Sequence, residues 1–115
     1  MNGRRETDKL VKQINEGKIF KYTPKNKGTE KIIRILKEFE FIQTKGSLII
    51  PKIKINFEYL NKQIKIKKQE LRKYEIEYVP AVLTGALIIS TSRGIMHHRE
   101  ALEKGIGGFF IAYFY

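Results

Sequence analysis

The chain reads as an α+β protein built from two small lobes, and three observations predict it. Apolar residues recur with helical spacing in some stretches and with a two-residue period in others. These stretches follow one another in the order helix, strand, helix, strand, strand and then a mixed set, which is the ordering of an α+β unit. At 115 residues and 13.5 kDa the chain has room for one compact domain or two lobes sharing a core, and nothing larger. The expected division is an N-terminal lobe over 1–68 and a C-terminal lobe over 69–115.

Taken in order, Glu6 to Glu16 places Leu10, Val11 and Ile14 on one helical face, and Gly17 stops the helix. Lys18 to Tyr22 is a short strand closed by Thr23-Pro24. Asn26 to Glu40 is an amphipathic helix through Ile32, Ile35, Leu36 and Phe39, with Asn26 the expected N-cap and Thr29 its rival. Ser47 to Leu60 alternates through Ile53, Ile55, Phe57 and Tyr59; Ile64-Lys65-Ile66 repeats the period after a hairpin turn expected at Asn61-Lys62-Gln63. The apolar run Ala86-Leu87-Ile88-Ile89 reads as a buried strand. Gly105-Ile106-Gly107-Gly108 caps one further short helix and opens a final strand to Tyr115. Alternation in that strand favours core packing for Phe109, Phe110, Tyr113, Phe114 and Tyr115 over base stacking, with Tyr113 and Tyr115 on one face.

Charge narrows the partners. Twenty-three Lys and Arg against 12 Asp and Glu give a net charge of +11, which attracts polyanions. The lysines are scattered, and no apolar run approaches a membrane span, so nucleic acid is favoured and no membrane partner is expected. The absence of cysteine removes disulfides, thiolate nucleophiles and Cys-based zinc sites. The first residues hold no secretory core, so no cleavable presequence is read there. Heavy use of Ile, Lys, Asn, Phe and Tyr points to AT-rich coding DNA, and from there to an organelle, mitochondrion before plastid, or to the cytoplasm of an AT-rich bacterium.

The stretch that organises the rest is Ser90-Thr91-Ser92-Arg93-Gly94, delivered by the buried run before it. Hydroxyls donate and accept, and so suit phosphates, sugars and base edges. A guanidinium adds a planar, permanently charged fork, and glycine lets the backbone turn or approach a ligand closely. The plain alternative is an ordinary strand end. Lys25, Lys27 and Lys31 surround a helix N-terminus, either as a solvated basic turn or as a phosphate contact.

Catalysis is not expected. The three hydroxyls lack a base with an orienting carboxylate, and neither a P-loop nor a dinucleotide fingerprint is present. A small phosphate-handling enzyme using Arg93 is the reading from another class. Adjacent His97 and His98 diverge by about 100° on a helix and have no third ligand at a useful spacing, so a solvated helix start is expected, with no metal and no cofactor.

Ala86 to Ala101 followed by Gly105-Ile106-Gly107-Gly108 resembles the C-terminal domain of the small-subunit ribosomal protein eight family. That family carries Ser-Thr-Ser, a Lys or Arg, Gly, an aliphatic and Met, then a helix with Arg-Glu-Ala and a Gly-x-Gly-Gly turn. The N-terminal half is similar more loosely, through Pro24, Ile35-Leu36-Lys37-Glu38 and Phe41-Ile42. Gln69 to Tyr78 departs from the pattern, with a shorter connection where the family has a Ser-Lys-Pro-Gly-Arg-type turn; Val79-Pro80, Val82-Leu83 and Gly85 recover it, and the resemblance there implies a short helix leading into the buried strand. His97-His98 replaces the family's Thr-Asp, so the helix behind it is expected to lose its cap.

The resemblance implies a non-catalytic constituent of the small ribosomal subunit. Its partners would be the central domain of small-subunit RNA and neighbouring ribosomal proteins, with no small-molecule substrate. Ser90, Thr91 and Ser92 would hydrogen-bond RNA, Arg93 and Arg99 would hold phosphates, and Gly94 would permit the turn. Gly107 and Gly108 would keep the surface low, while Lys25, Lys27 and Lys31 would serve a second RNA segment. An RNA-binding regulator or chaperone outside the ribosome is the alternative.

Overall fold

The computed structural model describes residues 2–79 and 85–115, with side chains described from Asp8 onward. It is a mixed α/β chain with four helices and two antiparallel sheets among the described residues, in two compact units, 1–57 and 58–115. The short helix expected across Val79 to Gly85 falls largely on residues 80–84, outside the described residues.

In the first unit, helix α1 (Asn2–Glu16) buries Leu10 and Ile14, and α2 (Lys27–Glu38) buries Ile32, Ile33, Ile35 and Leu36. The expected cap of α2 is present. Asn26 Oδ1 accepts from the Thr29 backbone N–H at 2.8 Å and from the Thr29 hydroxyl at 3.0 Å, and Thr29 is itself buried. Strands β1 (Phe20–Lys21), β2 (Ile42–Lys45) and β3 (Leu48–Pro51) form a sheet in the order β1-β3-β2. The continuous alternation expected from Ser47 to Leu60 is therefore broken. Pairing stops at Pro51, Ile53 is exposed, and Ile55 turns inward before the next strand begins. Asn15 fixes that beginning: its side-chain amide donates to Phe57 O at 2.7 Å and its Oδ1 accepts from Phe57 N–H at 2.9 Å.

The second unit holds strands β4 (Phe57–Ile66), β5 (Ala86–Thr91), β6 (Gly94–His97) and β7 (Gly108–Phe114), in the order β4-β7-β5-β6. Strand β4 runs straight through Asn61-Lys62-Gln63, so the expected hairpin there is absent. An edge strand tolerates an exposed polar triplet, and its lysines discourage pairing with other chains. Because β4 joins the second sheet, the compact units divide after Phe57, ahead of the expected break at Lys68. A 3₁₀ turn (Lys68–Glu70) then leads into α3 (Leu71–Tyr78), with Glu70 Oε1 accepting from Lys67 N–H at 2.9 Å. Helix α4 (His98–Lys104) ends at Gly105 in a left-handed conformation, φ +65°, as expected of the Gly-x-Gly-Gly stretch.

Strand β7 is bulged. Ile88 pairs with Ala112 but Ile89 pairs with Phe110, which leaves Ile111 as the extra residue. The parity of the strand switches there. Phe110 joins Leu87, Ile89, Met96 and Leu71 in one core, with Tyr74, Tyr78, Tyr113 and Tyr115 packed against it. Tyr113 stacks on Tyr115, with centroids 6.2 Å apart, so those two share a face as expected. Phe109 does not join the core: it is 45% exposed.

The cap gives a direct test. Asn26→Ala leaves the Thr29 N–H and hydroxyl without their acceptor and should cost about 1 kcal/mol, read as a lower midpoint in urea or thermal unfolding, while Asn26→Asp should retain most of the stability.

Candidate nucleic-acid interface

Strand β5 carries its chain from full burial to solvent within a few residues. Ala86 to Ile89 are completely buried, Ser90 and Thr91 are half-buried, and Ser92 and Arg93 are exposed. Thr91 pairs with Gly94 and Ser90 with Ile95, so Ser92-Arg93 is the two-residue tip of a hairpin. Gly94 sits at φ +106°, where a side chain would be strained. The Thr91 hydroxyl closes the tip: it accepts from the Arg93 N–H at 3.0 Å and donates to Gly94 O at 2.7 Å. Thr91 thus spends its only proton inside the turn and keeps one lone pair for anything outside. Ser92 and Arg93 are what the turn presents.

Two glycines expected to keep the surface low have a reason inside the sheet. A Cβ on Gly107 would meet Ile66 O at 2.4 Å, and one on Gly108 would meet Ser90 O at 2.4 Å. Backbone packs where a side chain would stand. Arg99, on α4, is half-exposed with its guanidinium 3.9 Å from a Glu75 carboxylate oxygen, so part of its charge is already balanced. Lys25 and Lys27 are exposed on either side of the Asn26 cap, and Lys31 lies one turn further along α2. These lysines belong to the first unit and the hydroxyl turn to the second.

The histidines depart from the expected solvated start. His97 caps α4 itself, its Nδ1 accepting from Glu100 N–H at 3.3 Å, so replacing the family's Thr exchanges one cap for another. His98 is completely buried. Its Nδ1 accepts from Leu87 N–H at 3.0 Å, which puts the neutral ring's proton on Nε2, 3.1 Å from Glu75 Oε2 in a bent contact. The adjacent histidines part because His97, the last residue of β6, is still in extended backbone, φ −82° and ψ 159°, while His98 opens the helix. Burial holds the His98 pKa below its ordinary 6.5, against the opposing pull of Glu75. The Tyr113 hydroxyl donates to Glu58 at 2.7 Å, and burial with that carboxylate pushes its pKa to about 12. Among the described residues no group of three or more His, Asp or Glu is placed to hold a metal ion, and no helix is long and apolar enough to cross a membrane.

Comparison with known proteins covers both units. The family model described as Ribosomal protein S8 matches residues 11–115. Small ribosomal subunit protein uS8 of Nitrosopumilus maritimus is 43% identical over 56 residues, covering 49% of this chain and 43% of the relative. The protein of the same name from Cenarchaeum symbiosum gives the same figures. That of Nanoarchaeum equitans is 39% identical over 98 residues, covering 74% of each. The matched stretch thus spans less than half the length of the first two relatives.

Two measurements test this geometry. Because folding lowers the His98 pKa, the unfolded chain takes up the proton first. Its stabilising share should be complete above about pH 6.5 and drain away as pH falls toward the folded value, with Glu75, Arg99 and His97 as the charged neighbours. Thermal unfolding at pH 8 and at pH 5.5 should show that loss, and His98→Gln, though less stable throughout, should lack it. Separately, Thr91→Val removes both turn bonds while keeping the shape, and should destabilise by about 1 to 3 kcal/mol; Thr91→Ser should restore most of it.

Proposed function

Since the chain belongs to the ribosomal protein S8 family, we propose that it is a structural constituent of the small ribosomal subunit, bound directly to an irregular hairpin in the central domain of small-subunit RNA. The observation that carries this is the family match itself, which runs through both units and includes the Ser90–Gly94 turn. The relatives' names state membership in the small ribosomal subunit. The net charge of +11 supports a polyanionic partner, and neighbouring ribosomal proteins would complete the surroundings.

The geometry supports a division of labour. Irregular RNA is recognised by shape, 2′-hydroxyl and phosphate contacts. On this reading Ser92 would hydrogen-bond the RNA and Arg93 would hold a phosphate, with Ser90 behind them and Thr91 and Gly94 shaping the turn. Arg99 would take a phosphate in competition with Glu75. Gly107 and Gly108 serve the same surface indirectly, by letting β7 lie close to its neighbours. Lys25, Lys27 and Lys31 would serve a second RNA segment from the first unit. Phosphate contacts position and base contacts specify, so the lysines set affinity and the turn sets choice. Composition alone carried the organellar expectation. The three relatives named are archaeal, and AT-rich coding in any ribosome-bearing cell yields the same residue usage.

The test is a titration against a central-domain transcript and a regular duplex, at several salt concentrations. The parent chain should prefer the transcript, and its affinity should fall steeply with salt. Lys25→Ala with Lys27→Ala should shallow the slope by about 0.7 to 0.9 per lost phosphate contact and weaken both RNAs alike. Ser92→Ala should weaken the transcript by about 1 to 3 kcal/mol and the duplex hardly at all. Equal affinity for the two RNAs would refute the proposal.

A further inference from the structure

Resting on the ribosomal RNA reading, we infer that Phe109 is a stacking platform for one unpaired base of the bound RNA. The ring is 45% exposed, while every other phenylalanine of β7 is completely buried. Phe109 pairs with Ser90, and Ser90 pairs with Ile95, so these three side chains lie in one row across β7, β5 and β6. Residues directly opposite on antiparallel strands share a face, a few ångströms apart. The row is graded in chemistry: an exposed aromatic ring, a half-buried hydroxyl and a half-buried aliphatic side chain. The next residues along the same face, Ala112 and Ile88, are completely buried, so Phe109 marks where this face of the sheet opens to solvent.

The occupant follows from what surrounds the ring. Ser92 and Arg93 occupy the hairpin tip that extends β5 beyond Ser90, so hydrogen-bonding and cationic groups stand beside an apolar plane. A flat ring with a hydroxyl at its side and a guanidinium beyond matches a nucleotide, base to ring and phosphate to cation. Base–aromatic stacking tolerates any base, because each has a π-face. Without Ile111 as an extra residue, the chain could not turn Phe110 into the core and also keep Ala112 on the side of Phe109. The bare backbone of Gly108 allows β7 to press against Ser90 O just before the ring.

The experiment uses the full chain and a central-domain transcript carrying a fluorescent adenine analogue at its unpaired positions. Phe109→Leu keeps an apolar side chain and removes the π-face; Phe109→Tyr keeps it. The expected result is a loss of about five- to hundredfold in affinity for Phe109→Leu, with near-parental binding for Phe109→Tyr. One labelled position should be quenched by the parent and by Phe109→Tyr and not by Phe109→Leu. Thermal unfolding of the two variants should match the parent, because the ring is exposed. Parental binding and quenching by Phe109→Leu would overturn the stacking inference and leave the ribosomal RNA reading standing. A parent chain that does not distinguish the transcript from a regular duplex would overturn both.

Discussion

The second unit depends on one buried imidazole. His98 accepts a hydrogen bond from the Leu87 backbone, so α4 is pinned to the central apolar strand, and its other nitrogen faces Glu75, so α3 is pinned to α4. Three elements meet at a single ring. A buried polar group that lost either partner would cost more than an apolar substitute gains, so the arrangement is stable only while all three elements are in place. Glu75 has a second duty, standing 3.9 Å from Arg99 and balancing part of that cation, which α4 carries next to His98. The site's charge and the unit's packing are therefore joined through one carboxylate.

Much of the fold was legible because local chemistry and tertiary packing agree. The face of α2, its Asn26 cap, the burial of Ala86–Ile89 and the glycine ending α4 each follow from spacing and residue type. What was not legible lies where a side chain's role depends on distant strands. Asn61-Lys62-Gln63 has the composition of a turn, but on an edge strand exposure is permitted and the strand continues. The switch in β7 at Ile111 follows from its register with β5, and no alternation count reveals it. Asn15 looks like one more polar residue near a helix end, though it holds Phe57 through two backbone bonds.

The candidate site shows the same split. The motif Ser90–Gly94 is visible in sequence, but the sorting of its hydroxyls is not, since Thr91 turns inward to close the hairpin while Ser92 stands outside. Gly107 and Gly108 were visible as glycines, and only the neighbouring carbonyls at 2.4 Å show that backbone crowding demands them. His98 carried no signal of burial, because histidine is equally at home on a surface. Its paired carboxylate, Glu75, lies in the stretch with the weakest family resemblance.

The strand order β4-β7-β5-β6 also governs how the second unit comes together. Strand β7 is the latest of the four along the chain, yet it sits between β4 and β5. The β5–β6 hairpin is local and can close early, but β4 has no partner until β7 is threaded into place, after a separation of some forty residues along the chain. Such non-local closure is slow, because loop entropy is lost before the contacts repay it. Until that moment Ile88 and Ile89 have one open flank, and Phe109–Tyr115, an uncharged and largely aromatic segment, has no cover at all. Strand β7 is therefore both the segment that closes the sheet and the one most open to misassembly until it does.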